Sequence, residues 1–173
     1  RLRRAVDDTG TASVWTDDEL EDALDEHRMR VHRECLRIEE SYTDAGSVTY
    51  YNYQSRFGNY EEGSAAFEME DGSGSARAAG TYTANYINGS FTMDADQAGT
   101  ALYLTGWSYD INGAASDLWR ERAAQVSSYY NVGLDGHTLS RAQWFEHCEK
   151  MAELYARKAR PQVVRMWNYG TLD

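Results

Sequence analysis

Residues 42–106 follow a different hydrophobic period from the rest of the chain, and this difference limits the possible folds more than any other feature. Tyrosine, threonine and valine alternate there with polar residues in short runs, and clusters of Gly, Asn, Asp and Ser separate the runs. A period of two is typical of β-strands, and Asn88-Gly89 between two such runs is a strong hairpin signal. We therefore predict about four or five strands in an antiparallel sheet.

The segments on either side of this region have a helical period. The sequence Thr-Asp-Asp-Glu at 16–19 is a capping-box pattern with Thr16 as the N-cap. Apolar residues then recur every three or four positions, which predicts one helix from Thr16 to about Glu40. Further helices are predicted over residues 1–10, 111–130 and 139–160.

The predicted fold class is α+β, a small helical bundle of about three to four helices with an inserted antiparallel β-sheet region. The bundle would comprise residues 1–41 and 107–160, the β-rich insertion residues 42–106, and a C-terminal docking tail residues 161–173. The small residues at 113–116 would permit close helix approach. The residues expected in the bundle core are Leu20, Leu24, Val31, Leu118, Trp119, Phe145 and Tyr155.

The formal net charge of −11 makes the chain a poor candidate for gripping phosphates. Many of the acids lie near the start of the first long predicted helix: Asp17, Asp18, Glu21, Asp22 and Asp25. Their continuous run lacks the glycine of an EF-hand loop, so we interpret it as a solvated acidic surface and predict no metal. No stretch approaches the ~20 apolar residues that span a membrane, and we expect no membrane partner.

No local motif indicates catalysis. The chain contains no G-x-S-x-G sequence, and the glycine-rich residues 71–75 lack the lysine of a phosphate-binding loop. The two cysteines, Cys35 and Cys148, are expected to be buried thiols. A zinc site with His32 and His147 is disfavoured because residues 147 and 148 point about 100° apart on a helix. We therefore predict a protein that is not an enzyme and has no cofactor.

Two aromatic features leave alternatives open. Tyrosines of the predicted sheet could form a sugar- or base-stacking platform, although cross-strand packing is the favoured interpretation. These are Tyr50, Tyr51, Tyr53, Tyr82 and Tyr86. The apolar tail is too short to make a core, so it either folds back or binds a partner, and we favour a partner. Its apolar residues are Val163, Val164, Met166, Trp167, Tyr169 and Leu172.

Three stretches carry a resemblance to a known family: WTDDELEDALDEHRMRV at 15–31, GWSYDINGAASDLWRERAA at 106–124, and LSRAQWFEHCEKMAELYARKARP at 139–161. In this order, with a tyrosine-rich β segment between the first two, they resemble the head–tail adaptor (head completion, or connector) proteins of tailed bacteriophages. The resemblance implies a structural virion protein of the head–tail interface, assembled in the host cytoplasm.

The resemblance also implies partners. About twelve copies would form a ring beneath the portal protein, extend the DNA channel and present a platform for a downstream head-closure or tail protein. DNA would pass through without sequence-specific binding. The tail would dock on the portal, and the acidic helix would line the channel or meet the next ring. Alternatives are a tail-completion or decoration protein, or a carbohydrate-binding module that uses the tyrosine-rich sheet.

Overall fold

A computed structural model describes residues 1–8, 13–43, 46–63, 67–128, 133–134, 137–138 and 141–160. The helices in these ranges are α1 (Leu2–Ala5), α2 (Asp17–Glu26), α3 (Ile111–Ser128) and α4 (Arg141–Ala156), with a short 3-10 turn at Ala79–Thr81. The strands are β1 (Arg28–Cys35), β2 (Arg37–Tyr42), β3 (Val48–Gln54), β4 (Glu68–Asp71), β5 (Tyr82–Asn85), β6 (Ser90–Met93), β7 (Leu102–Tyr109), β8 (Gly133–Leu134) and β9 (His137–Thr138).

Seven of these strands form two antiparallel sheets. One sheet has the order β1-β7-β4 and the other the order β2-β3-β6-β5, while β8 and β9 form a separate two-stranded ribbon. The predicted hairpin at Asn88-Gly89 is confirmed, since β5 and β6 pair across it and Gly89 has a φ of +67°. A side chain at Gly89 would also collide with the carbonyl of Phe57.

The two sheets share one hydrophobic core of large side chains. Both contribute residues with almost no exposed surface, such as Phe91 of β6 and Leu104 of β7. Tyr60 and Tyr82 pack against Phe91 with ring centroids 6.5 and 6.3 Å apart. The sheet core consists of Val31, Leu36, Tyr53, Tyr60, Met69, Tyr82, Phe91, Met93, Leu102 and Leu104.

The helices share a second core, in which small residues lie at the contact between α3 and α4 and larger ones pack around it. Helix α3 lies along α4, and Ser116 of α3 donates a hydrogen bond of 3.0 Å to the carbonyl of Ala152 in α4. Trp119 fills the space between α3 and α1, and its indole N–H donates to the carbonyl of Ala5 at 3.0 Å. The helical core consists of Leu2, Val6, Trp15, Leu20, Ala114, Ala115, Leu118, Trp119, Ala123, Cys148 and Ala152.

The predicted fold class is wrong in the relative amounts of helix and sheet. The described chain is mixed α+β, but it is rich in sheet, with seven strands in two sheets, rather than a helical bundle with a small inserted sheet. The error arises mainly in the first long predicted helix. Thr16 and Glu19 do form the capping box, but α2 ends at Glu26 and residues 28–42 form two strands.

A β-bulge interrupts the alternation of inward and outward residues in β1. The pairing of β1 with β7 shifts between Val31 and Glu34, so two inward-facing positions are three residues apart instead of two. Arg33 within the bulge has a φ of +46°. After the bulge Glu34, Leu36 and Ile38 face inward at a period of two. The extra residue thus breaks the period of two that would have indicated a strand in the sequence.

Two residues expected in the bundle core lie elsewhere. Val31 belongs to the sheet core, because it lies on β1, and Phe145 is on a solvent-facing side of α4 with 38% of its surface exposed. The other expected residues pack in the helical core: Leu20, Leu118 and Trp119 are buried, and Leu24 and Tyr155 are partly buried against it.

Candidate functional site

A polar groove of about 260 Å³ lies where α2 ends, α3 begins and α4 ends. We call it the junction groove. All of its lining residues come from the three stretches quoted above for the adaptor resemblance. They are His27, Asp110, Gly113, Ser116, Asp117, Arg120, Ala156, Ala159 and Arg160.

His27 occupies one side of the junction groove. Its Nε2 lies 2.7 Å from Oδ2 of Asp117, and Arg120 donates to Oδ1 of the same carboxylate at 2.7 Å. The other ring nitrogen of His27 faces Gly113, where a Cβ atom would collide with the imidazole. Gly113 therefore leaves space for His27 at the start of α3.

Arg160 connects the helices to the sheets. Its backbone N–H donates to Oδ2 of Asp110 at 2.6 Å, and its guanidinium donates to Ser108 Oγ at 2.9 Å and to the carbonyl of Gly58 at 3.1 Å. The N–H of Asp110 in turn donates to the carbonyl of His27 at 3.0 Å. These bonds fix the point on the protein from which the chain continues into residues 161–173.

Among the described residues, the two serine hydroxyl groups nearest the His–Asp pair bond to the backbone. Ser116 donates to the carbonyl of Ala152, and Ser108 donates to the carbonyl of Gly58 at 2.6 Å. Both hydroxyl groups thus bond to the backbone rather than to His27. These two hydrogen bonds connect α3 to α4 and β7 to the segment that contains Gly58.

The outer side of the β1-β7-β4 sheet carries arginines over aromatic rings. The guanidinium of Arg28 lies 4.4 Å and that of Arg30 5.7 Å from the centroid of Trp107, while Arg33 lies 5.1 Å from that of Tyr103. We call these five residues the arginine face. Such cation–π contacts hold the arginines in place while their N–H groups remain available to a partner.

Two acidic side chains neutralise part of the arginine face. Arg28 pairs with Asp25 at 3.7 Å, and Arg33 pairs with Glu70 of the neighbouring strand. Within the described part of the chain, Arg30 has no acidic partner at ion-pair distance. Arg30 is therefore the member of the face with most capacity for an external anion.

A buried carboxylate supports the strand beneath this face. Glu34 is 5% exposed and accepts hydrogen bonds from Ser55 Oγ at 2.6 Å, Tyr60 OH at 3.1 Å and the N–H of Arg56 at 2.8 Å. Burial raises the pKa of Tyr60 well above its ordinary value, so its hydroxyl stays protonated as a donor. The network satisfies a charge that would otherwise be costly to bury, and it fixes β1 after the bulge.

The acidic residues predicted to line a channel or meet a next ring lie on α2, and all are exposed: Asp17, Asp18, Glu21, Asp22 and Asp25. Asp17 bonds to Arg3 at 2.6 Å. Hydrogen bonds from the backbone and side chain of Thr16 lower the pKa of Glu19, which strengthens the helix start. The structure thus presents one continuous acidic surface, which we call the acidic surface of α2.

The tyrosines do not form one exposed stacking platform. Tyr53 and Tyr82 are buried in the sheet core, and Tyr53 donates to the carbonyl of Thr100 at 2.9 Å. Tyr86 packs against Phe67 with ring centroids 5.0 Å apart. Tyr50 and Tyr51 are half-buried. Packing between and within the sheets, the alternative favoured from sequence, accounts for Tyr53, Tyr82 and Tyr86.

The two cysteines that were considered for a metal site lie in different parts of the fold. Cys35 is exposed on β1, contrary to the expectation of two buried thiols, whereas Cys148 is buried in the helical core. Among the described residues, no group of three or more His, Cys, Asp or Glu side chains could hold a metal ion. The tail residues Val163 to Leu172 lie outside the described residues.

Sequence reasoning missed both the junction groove and the arginine face. A signal for the face was present, since Arg28 and Arg30 alternate on one strand and Trp107 and Tyr109 alternate on its partner. Assigning residues 28–35 to a helix concealed this pattern. The groove had no local signal, because its residues come together only through the tertiary fold.

Comparisons with known proteins give no match. No family model, curated protein or solved structure is significantly similar to the chain. In the part of the chain that the structure describes, no helix is long and apolar enough to cross a membrane.

Proposed function

We propose that this chain is a structural subunit of a virion, a head–tail adaptor that forms a ring beneath a portal protein. In this role neighbouring copies bind side by side, DNA passes through the ring, and a downstream head-closure or tail protein attaches below it. The subunit acts through its surfaces and has no catalytic role.

The junction groove is the observation that supports this proposal best. The three stretches that resemble adaptor proteins are far apart in sequence, yet residues of all three line this one groove. The resemblance therefore rests on parts that form a single structural unit. Arg160 of the same unit fixes the start of the apolar tail, which is the segment proposed to dock on the portal.

The distribution of charge is a second support. The acidic surface of α2 and the arginine face are two exposed surfaces of opposite sign on one chain. A ring of identical subunits is closed by heterologous contacts, in which one surface of each copy binds a different surface of the next. Opposite charges on those surfaces would set the orientation of the contact.

The experiment is a count of this chain in purified virions by quantitative mass spectrometry with isotope-labelled peptides. The proposal predicts about twelve copies per particle, equal to the count of portal subunits in the same sample. After mild disruption of the capsid, the chain should sediment with the portal ring.

Other counts would contradict the proposal in distinguishable ways. Hundreds of copies that stay with the capsid shell would indicate a decoration protein. Copies that separate with the tail would indicate a tail-completion protein. Absence from particles would overturn a virion role altogether.

A further inference from the structure

We propose that the arginine face binds the acidic surface of α2 from a second copy of this chain. The inference builds on the proposed ring, since it names the two surfaces that meet between neighbouring subunits. It assigns Arg30 as the central contact residue on one side and Asp18, Glu21 and Asp22 as its counterparts on the other.

The arginine face is already organised for an anionic partner. Trp107 lies beneath both Arg28 and Arg30, at 4.4 and 5.7 Å from its ring centroid, and restricts the positions of their guanidinium groups. A restrained arginine loses less side-chain freedom on binding than a free one. Tryptophan and arginine are also the residues most enriched among those that dominate protein interfaces.

The α2 helix of the same chain cannot cover this face. His27 is the single residue between α2 and β1, so only the last turn of α2 approaches the face, where Asp25 reaches Arg28 at 3.7 Å. Among the exposed acids of the earlier turns, Asp17 pairs with Arg3, whereas Asp18, Glu21 and Asp22 have no ion pair within the described part of the chain. These acids are therefore available to a neighbouring copy.

The spacing of the two charged surfaces is compatible. Asp18 and Asp22 are about 6 Å apart along the helix axis, at 1.5 Å per residue. Arg28 and Arg30 are about 7 Å apart along the strand. A helix lying along β1 can thus bring successive carboxylates to successive guanidinium groups, which are strong charge-assisted pairs.

A nucleic acid is a less suitable occupant. Glu70 on β4 pairs with Arg33, and exposed Glu68 lies on the same strand. The chain as a whole carries a net charge of −11. A long phosphate backbone would be repelled by these glutamates and by the net negative charge of the chain. A short acidic helix needs only the local positive patch around Arg30.

Chemical cross-linking of the full chain tests the contact. Cys35 is exposed on β1 beside the arginine face, and Cys148 is buried. In Asp18→Cys a long, flexible bis-maleimide should join the new thiol to Cys35 of a neighbour, about 15 Å along β1 from Arg30, and give covalent multimers on a denaturing gel. Glu149→Cys, an exposed acid on α4, is the matched control because it removes the same charge from another surface.

The proposal predicts more multimers from Asp18→Cys than from Glu149→Cys, and a decrease as salt is raised. Adding Arg30→Glu should lower the multimer yield about tenfold, as expected for a central interface arginine. Equal yields from Asp18→Cys and the control, or a yield that Arg30→Glu leaves unchanged, would overturn it. A further result would overturn the proposal in favour of a nucleic-acid surface. In that case the chain binds a single-stranded DNA oligonucleotide, Arg30→Glu abolishes this binding, and Asp18→Cys cross-links no more than the control.

These outcomes are independent of the count in virions. About twelve copies per particle without the cross-link would overturn this contact and leave the adaptor proposal standing. If the chain cross-links as predicted but is absent from particles, the contact between copies stands and the adaptor proposal is overturned.

Discussion

At the contact between α3 and α4 in the helical core, the residues with no exposed surface are small, whereas the residues with the least exposed surface in the sheet core are large. Ala114 and Ala115 of α3 have no exposed surface, and α4 packs directly against that part of α3. In the sheets, Phe91 and Tyr53 are each 1% exposed and fill the space between two layers. The contact between α3 and α4 therefore depends on short distances between backbones, and the sheet core depends on the volume of its side chains.

Truncation should have the largest effect and should affect both cores. Trp119→Ala removes one of the two buried tryptophan side chains of the helical core together with its hydrogen bond to Ala5, and Phe91→Ala removes a central ring of the sheet core. Each should lower the free energy of unfolding by about 3–5 kcal/mol. Urea denaturation followed by circular dichroism measures this loss. A loss under about 1 kcal/mol for Trp119→Ala would contradict its assigned core position.

Enlarging a small residue at the α3–α4 contact should cost more stability than a volume-conserving change in the sheet core. Ala115→Leu adds volume where α3 has no space, and we expect it to destabilise the protein by about 1–3 kcal/mol. Met69→Leu in the sheet core conserves volume and should cost less than about 1.5 kcal/mol. Thermal melts of the two variants, run beside the parent chain, provide the comparison. The reverse order of stability would show that small residues in α3 are not required for close packing.

The junction groove allows a more local test of close approach. Gly113→Ala places a methyl group against the His27 imidazole, so the ring must shift and its 2.7 Å contact with Asp117 is disturbed. The expected cost is about 1–3 kcal/mol. The double variant His27→Ala and Gly113→Ala is the control, because removing the ring creates space for the methyl group. If Gly113→Ala costs the same with and without His27, the contact does not explain the glycine.

The smallest effect is a pH dependence at the start of the helical region. Burial alone would raise the pKa of Asp8, but hydrogen bonds from Ser13, Val14 and Trp15 together with Arg3 outweigh it and lower the pKa below the ordinary 3.8. A lowered carboxyl pKa stabilises the fold above the unfolded-state value, and this stability is lost as pH falls through the folded-state value. Asp8→Asn should therefore show a smaller loss of stability below pH 3.8 than the parent chain. Parallel denaturation curves from neutral pH to pH 2 test this, and identical pH profiles would contradict it.

The parts of the fold that could be predicted from the sequence are those that depend on neighbouring residues. Thr16 and Glu19 predicted the start of α2 correctly, because a capping box is formed by residues only three positions apart. The α3 helix and the hairpin at Gly89 likewise depend on nearby residues. Such features are predictable because their hydrogen bonds close within a few positions.

Features that depend on residues far apart in the chain could not be predicted from the sequence. Residues 28–35 form a strand because they pair with β7, and the bulge at Arg33 hides the period of two. The inward position of Glu34 is stable only because Ser55 and Tyr60 donate to it from another part of the chain. The arginine face and the junction groove were missed for the same reason.

A cryo-electron microscopy reconstruction of the portal vertex in purified virions tests the central claim most directly. The adaptor proposal predicts a ring of about twelve copies directly beneath the portal, into whose density the two sheets and the α3–α4 pair fit, with the chain after Arg160 directed towards the portal. A vertex ring built entirely from other chains, with no density for this fold at the head–tail interface, would contradict it.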